Sequence, residues 1–181
     1  MDNKEYLKWI MPSIKNRTVS ADNLNGKFNF RIEKAKEQYL LPVVEREDII
    51  KYVKDFLYSI GMEISVDPVI KPKKREKRRI DYSKINKENK EDIVWIKFTN
   101  NNYISVIGTG CDISFTDYAK NNTTAGLINQ SLGLEWDDSE VLIFPLNNIQ
   151  DGLNRSDIES GIGNYLISQG VPILDFYSHN Y

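Results

Sequence analysis

The sequence predicts one domain of mixed α and β structure, of the α+β or α/β class, in which helices pack on a mixed β-sheet. Three observations predict this class. Amphipathic helical periodicity recurs along the chain, two apolar runs around an asparagine turn indicate a central β-hairpin, and the C-terminal part alternates strand, helix and strand. The chain has 181 residues, of which 40% are hydrophobic, and this is enough for one core without disulfide bonds.

The N-terminal third is expected to be mainly helical. Its clearest helix covers residues 46–60, where apolar side chains recur at helical spacing. Glu47 and Asp48 would lie at the positive end of the helix dipole, and Gly61 would end the helix. The other expected elements are a short helix over residues 4–11, a loop over 13–30, a helix over 31–41 and a strand over 62–67.

Residues 71–91 interrupt this pattern with a dense positive charge. Seven of the nine residues from Lys71 to Arg79 are basic, and no apolar run follows until Ile93. A stretch of this composition lacks the apolar side chains that would pack it into a core. We therefore expect an exposed basic loop or arm over residues 71–91, followed by a better-organised α/β half over residues 92–181.

The C-terminal half contains the predicted hairpin and the strand–helix–strand tail. The hairpin strands cover residues 93–98 and 103–107, and a turn of three asparagines joins them. Because the tail favours a parallel pair, the sheet is expected to be mixed. The later elements are expected to be a helix over 123–132, a strand over 141–144, a helix over 157–169 and a strand over 171–177. The predicted core consists of Ile49, Val53, Phe56, Leu57, Trp95, Ile96, Ile104, Val106, Leu142, Phe144, Ile162, Leu166, Ile173 and Leu174.

Residue counts disfavour several classes of protein. No stretch approaches the ~20 apolar residues of a membrane span, and the first residues lack a secretory signal pattern. Cys111 is the only cysteine and His179 the only histidine, so a disulfide framework and a Cys/His metal site are both unsupported. We therefore expect a soluble, cytoplasmic protein without a metal or cofactor and without contact to a membrane.

The basic segment indicates one possible function, the binding of nucleic acid. Its net charge is +6, whereas the whole chain carries −2, which leaves −8 for the remaining residues. Cations at this density neutralise backbone phosphates and produce salt-sensitive binding. The alternatives are a solvated loop and an arm that docks on an acidic protein surface. The candidate nucleic-acid-binding residues are Lys71, Lys73, Lys74, Arg75, Lys77, Arg78 and Arg79.

An acidic cluster directly precedes the strand predicted over residues 141–144. It consists of Glu135, Asp137, Asp138 and Glu140. Its spacing does not match a calcium-binding loop, which also needs a glycine at its turning position. The cluster is expected to be an exposed loop that attracts a basic partner, and these four residues are the candidate partner-binding residues.

Glu159 is the candidate catalytic residue in an alternative interpretation. From Val141 the chain is expected to run through a strand, a loop, a glutamate-bearing helix, Gly170-Val171-Pro172 and a strand. This layout resembles the C-terminal part of nucleoside deoxyribosyltransferases and TIR-like NAD hydrolases, in which a helical glutamate meets the ribose. The resemblance implies a nucleotide- or NAD-directed hydrolase or transferase. The competing interpretation is structural, because Ser156 and Glu159 have the spacing of a capping box.

No catalytic constellation in the sequence is complete, so an enzyme is the less favoured class. The leading hypothesis is a small cytoplasmic binding protein, of the inhibitor or immunity type found in bacterial or phage conflict. Such a protein would block its partner by docking on it through the acidic cluster. Proteins that act on nucleic acid, such as nucleases, display the basic grooves that an acidic surface would fit.

Overall fold

The computed structural model describes residues 24–62, 69–70, 92–109, 123–146 and 149–176. Of residues 24–30 and 69–70 only the backbone is considered. The helix and strand predicted over 4–11 and 62–67, and the basic segment 71–91, lie wholly or mostly outside these residues. The elements are α1 (Leu24–Tyr39), α2 (Arg46–Ser59), β1 (Val69–Ile70), β2 (Ile93–Thr99), β3 (Ile104–Thr109), α3 (Thr124–Ser131), β4 (Trp136–Pro145) and α4 (Arg155–Ser168).

The described strands form one sheet in the order β1-β4-β2-β3, and each neighbouring pair is antiparallel. The predicted hairpin is confirmed as β2 and β3. β2 lies at the centre, where Ile96 pairs with Ile107 on one side and with Leu142 on the other. The mixed α and β class predicted from the sequence is therefore confirmed.

The C-terminal strand predicted over residues 171–177 is wrong in extent. Residues 171–176 make a single parallel bridge, between Ile173 and Ile104. The backbone N–H of Leu174 donates to the Ile104 carbonyl at 2.9 Å, and that of Asp175 donates to the Ser105 carbonyl at 3.0 Å. A longer ladder would need a donor at Pro172, which has no backbone N–H. The parallel pair predicted between the strand over 141–144 and the C-terminal strand is therefore wrong, because the bridge joins Ile173 to β3 and not to β4. The sheet formed by the described strands is antiparallel and not mixed.

The main core lies between one face of the sheet and helices α2 and α4. Alternate side chains of β2 face these helices, and the register places β3 and β4 residues of the same face beside them. The predicted core residues are buried, except Trp95 and Val106, which are only half-buried. The residues at the centre of this core include Val53, Phe56, Leu57, Ile96, Phe98, Leu142, Phe144, Ile158, Ile162 and Leu166.

Trp95 and Val106 point away from the main core, to the opposite face of the sheet. Trp95 pairs with Gly108 across the hairpin, and its indole lies over that glycine. A methyl group added at Gly108 would overlap the six-membered ring of Trp95. The glycine is therefore required by the close approach of a side chain.

A second, smaller core joins α1 and α3 to the C-terminal segment. Ala35, Ile128, Leu134 and Leu174 are buried there, and partly buried residues including Tyr39 and Tyr103 pack against them. Tyr103 belongs to the turn of the hairpin, so this core also fixes the hairpin end of the sheet. α1 begins at Leu24, which is earlier than the residue 31 expected from the sequence.

Candidate functional site

Three of the four residues of the acidic cluster, Asp137, Asp138 and Glu140, lie in a strand and not in the loop that the sequence predicted, and Glu135 directly precedes that strand. β4 begins at Trp136, which pairs with Thr99, and its next pair joins Val141 to Lys97. Between these pairs β2 has one residue, Phe98, whereas β4 has residues 137–140. The acidic residues therefore form an irregular bulge opposite Phe98, and bulges of this kind redirect side chains.

Arg46, at the start of α2, fills the space beside this bulge. Its guanidinium bonds to Asp137 Oδ2 at 2.6 Å and to Glu140 Oε2 at 2.8 Å. The guanidinium also lies 4.3 Å from the centre of the Phe98 ring, a cation–π contact. Nη2 donates a further bond to Asn102 Oδ1 at 3.2 Å, in the hairpin turn. Two of the predicted partner-binding acids are thus held by an arginine of the same chain.

The contacts of Asp137 lower the pKa of its carboxyl group. Burial alone would raise the pKa, since it disfavours the charged carboxylate. Hydrogen bonds from Ser139 and Arg46, together with the positive charge of Arg46, outweigh burial and lower the pKa below its ordinary value. Asp137 is therefore ionised at neutral pH, and its negative charge is paired with the guanidinium of Arg46.

The ion pairs of Arg46 with Asp137 and Glu140 form what we call the frame of the site. Other carboxylates around this frame are exposed to solvent. Glu135 directly precedes β4 and Asp138 lies within its bulge, and both side chains are exposed. The acidic surface, as we define it, consists of exposed Glu135 and Asp138 together with exposed Glu45, which directly precedes Arg46 in the chain. The surface is therefore built from the N-cap of α2, the bulge of β4 and the residue before β4.

Tyr103 fixes the chain that leads into α2. Its hydroxyl lies 3.1 Å from the Tyr39 carbonyl and 3.0 Å from the Leu41 carbonyl, so it can donate its proton to either. The rings of Tyr39 and Tyr103 pack with their centres 4.9 Å apart. Neither Tyr103 nor Arg46 was predicted from the sequence to be part of the site. The available signal for Arg46 was its position as the one cation among Glu45, Glu47 and Asp48.

Glu159 does not cap its helix, so the capping-box interpretation is wrong. The N-cap of α4 is Asn154, which forms a capping box with Asp157. Glu159 lies further along, 2% exposed, beside a small cavity that is also lined by Ser160 and Asp175. Asp175 accepts hydrogen bonds from Arg31 of α1 at 3.1 and 2.5 Å.

The cavity beside Glu159 is too small for a nucleoside. About 10 Å³ of it can hold the centre of a water molecule, which is room for one water. Ligand pockets for molecules of drug or nucleotide size have volumes of roughly 300–1,000 Å³. The size of the cavity therefore disfavours Glu159 as part of a nucleotide-binding site. The acidic surface is the better-supported candidate.

No known protein family, curated protein or solved structure matches this chain. Within the described ranges, no group of three or more Cys, His, Asp or Glu side chains is placed to hold a metal ion. In the same ranges, no helix is both long enough and apolar enough to cross a membrane. The candidate nucleic-acid-binding residues 71–79 lie outside the described part of the chain.

Proposed function

We propose that this protein is a cytoplasmic binding protein that docks on a basic surface of a protein partner and blocks it. The observation that supports this is the acidic surface, in which exposed carboxylates surround a frame of ion pairs centred on Arg46. Its role would be that of an inhibitor or immunity-type protein in bacterial or phage conflict. A nuclease or another protein that acts on nucleic acid is the kind of partner that fits.

The acidic surface is complementary in charge to a basic protein surface. Exposed carboxylates that share one surface attract a basic protein over several ångströms and orient it during encounter. Glu135 and Asp138 lie on both sides of Asp137, whose own charge is held by Arg46. Asp138 is therefore presented from β4, and the backbone of Glu135 is held by the Asn100 N–H, which reduces the entropy lost when a partner binds.

The test compares two variants with the same change in charge. The site variant is Glu135→Lys/Asp138→Lys, and the control is Asp55→Lys/Asp151→Lys, in which both positions are exposed but lie outside the acidic surface. Each protein is produced with an affinity tag in its native host, and captured proteins are identified by mass spectrometry. We expect a basic protein to be captured by wild type and control but not by the site variant. Equal capture by all three proteins would contradict the proposal.

Nucleic-acid binding by residues 71–79 is the alternative, supported by seven cations in nine residues. Replacing Lys73, Lys74, Arg78 and Arg79 with glutamine should then weaken binding to DNA or RNA and reduce its dependence on salt. The measurement is fluorescence anisotropy with labelled oligonucleotides at several salt concentrations. Failure of the wild-type protein to bind at low salt would exclude this alternative.

A further inference from the structure

Four consecutive nonpolar residues lie exposed beside the acidic surface, between α1 and α2. They are Leu40, Leu41, Pro42 and Val43, which we call the apolar loop. The exposed fraction is 84% for Leu40, 41% for Leu41 and 37% for Val43, and Pro42 is exposed as well. Single exposed leucines are common in proteins, but a contiguous apolar patch with a polar rim marks an interaction surface.

The apolar loop is held in one conformation. The N–H groups of Leu40 and Leu41 donate to the carbonyls of Glu37 and Gln38, at 3.3 and 3.1 Å. The Tyr103 hydroxyl contacts the Leu41 carbonyl from the hairpin turn, and the ring of Pro42 fixes its own backbone angle φ. A loop that is already ordered loses little conformational entropy on binding, so exposure of its leucines is consistent with a ready-made contact.

The apolar loop and the acidic surface are continuous. Tyr103 touches the loop, and the backbone of the same turn bonds to the start of β4, where Asn100 N–H donates to the Glu135 carbonyl at 2.9 Å. On the other side, only the partly buried Val44 separates the loop from Glu45 and the first turn of α2. Apolar side chains are therefore bordered by carboxylates, the arrangement of an interface with an apolar centre and a polar rim.

The negative charge of the carboxylates around the apolar loop indicates which kind of partner binds there. In a symmetric dimer formed through this surface, the same carboxylates would meet each other, which is repulsive, and an anionic membrane would repel them in the same way. A protein with lysine and arginine around an apolar pocket matches both parts of the surface. We propose that the apolar loop inserts into such a pocket and is the main source of binding energy for the partner that the acidic surface attracts. This inference rests on the proposed function.

The partner can be trapped without being known in advance. The photoreactive residue p-benzoyl-phenylalanine is introduced at Val43, or at Tyr58 as a control, and cells are irradiated. Tyr58 is 65% exposed but lies about 18 Å along α2 from Arg46, since a helix rises 1.5 Å per residue. We expect a cross-link from position 43 to another protein, at an apolar peptide flanked by lysine or arginine, and no such product from position 58.

Substitutions then separate this inference from the proposed function. With the probe at position 43, Leu40→Ser/Leu41→Ser should reduce the cross-linked product by about tenfold or more, as expected for a central contact. Tyr58→Ser serves as the matched control and should leave the yield within about twofold of the parent, a difference below 0.5 kcal/mol at 1.4 kcal/mol per tenfold. Thermal unfolding of the two variants should match that of the parent, because the altered side chains are exposed.

The outcomes are distinguishable. If Leu40→Ser/Leu41→Ser retains the full cross-link while Glu135→Lys/Asp138→Lys loses it, the inference is wrong and the proposed function stands. If both variants retain it, the proposed function fails as well. A cross-link to a second copy of this chain, or equal products from positions 43 and 58, would also overturn the inference.

Discussion

Arg46 is the residue on which the geometry of the acidic surface depends most directly. It neutralises two carboxylates that are each less than one-fifth exposed and it packs on Phe98. Replacing Arg46 with alanine should lower the free energy of unfolding by about 1–3 kcal/mol, because two neighbouring carboxylates lose their donor. Urea unfolding measures this change.

Arg155→Ala is the control for this prediction. The Arg155 side chain is 42% exposed and its guanidinium is 3.9 Å from Asp92, the geometry of a weak surface pair. Its removal should change the unfolding free energy by at most about 0.5 kcal/mol. Equal losses for both variants would show that the Arg46 contacts add nothing special to stability.

The lowered pKa of Asp137 predicts a specific dependence of stability on pH. The pKa in the folded state lies below the ordinary value of 3.8, so the unfolded chain takes up a proton first as the pH falls. The stability contributed by Asp137 is therefore complete above its ordinary pKa, and it is lost as the pH falls through the lower folded value. Asp137→Asn should be less stable than wild type at pH 7, and the difference should shrink between pH 5 and pH 2.

Urea unfolding at several pH values provides the measurement for Asp137→Asn. Asp55→Asn makes the same chemical change at an exposed position of α2 and serves as the control. A constant stability difference between Asp137→Asn and wild type over the whole pH range would mean that the lowered pKa has no energetic consequence.

Gly108 gives a third prediction for a single residue. Gly108→Ala should destabilise the fold by about 1–3 kcal/mol, because the added methyl group overlaps the Trp95 ring. Gly163→Ala is the matched control: its methyl group would meet its nearest neighbours at 3.8 Å, an ordinary contact, and alanine favours helix α4. Thermal unfolding should separate the two variants, and similar melting temperatures would contradict the close approach of Trp95 to Gly108.

At the scale of the element, local periodicity in the sequence identified α2, α4 and the β-hairpin. The boundaries of α2 and α4 are within about two residues of the prediction, since both helices have apolar residues at regular spacing. The cap of α4 was missed because two overlapping pairs have the same spacing, Asn154 with Asp157 and Ser156 with Glu159. Asparagine caps a helix as well as serine does, and only the structure shows which residue adopts the extended conformation.

The choice of cap is testable. Asn154→Ala should cost about 0.5–2 kcal/mol of stability, because the side chain accepts bonds from the Ser156 and Asp157 amides. Ser156→Ala is the control and should be almost neutral. Chemical unfolding distinguishes the two variants. A larger loss of unfolding free energy for Ser156→Ala would indicate that Ser156 is the cap, as predicted from the sequence.

At the scale of the whole molecule, the acidic surface is assembled from segments that are distant in the chain. The cluster from Glu135 to Glu140 was visible in the sequence because its members are adjacent. Its contact with Arg46 spans 91 residues, and the bond from Tyr103 to Leu41 spans 62. Neither contact leaves a periodic signal, since both depend on how the hairpin end of the sheet meets α2. The acidic cluster could therefore be identified from the sequence, but the Arg46 contacts and the apolar loop beside it could not.

The claim that the acidic surface steers a basic partner is tested most directly by the salt dependence of association. With the partner purified after capture, stopped-flow measurements give the association rate constant between about 50 and 500 mM salt, where screening increases strongly. We predict that the rate falls steeply with salt for wild type and for Asp55→Lys/Asp151→Lys. For Glu135→Lys/Asp138→Lys it should be lower at low salt and nearly independent of salt. The same rates and the same salt dependence in all three proteins would contradict the account.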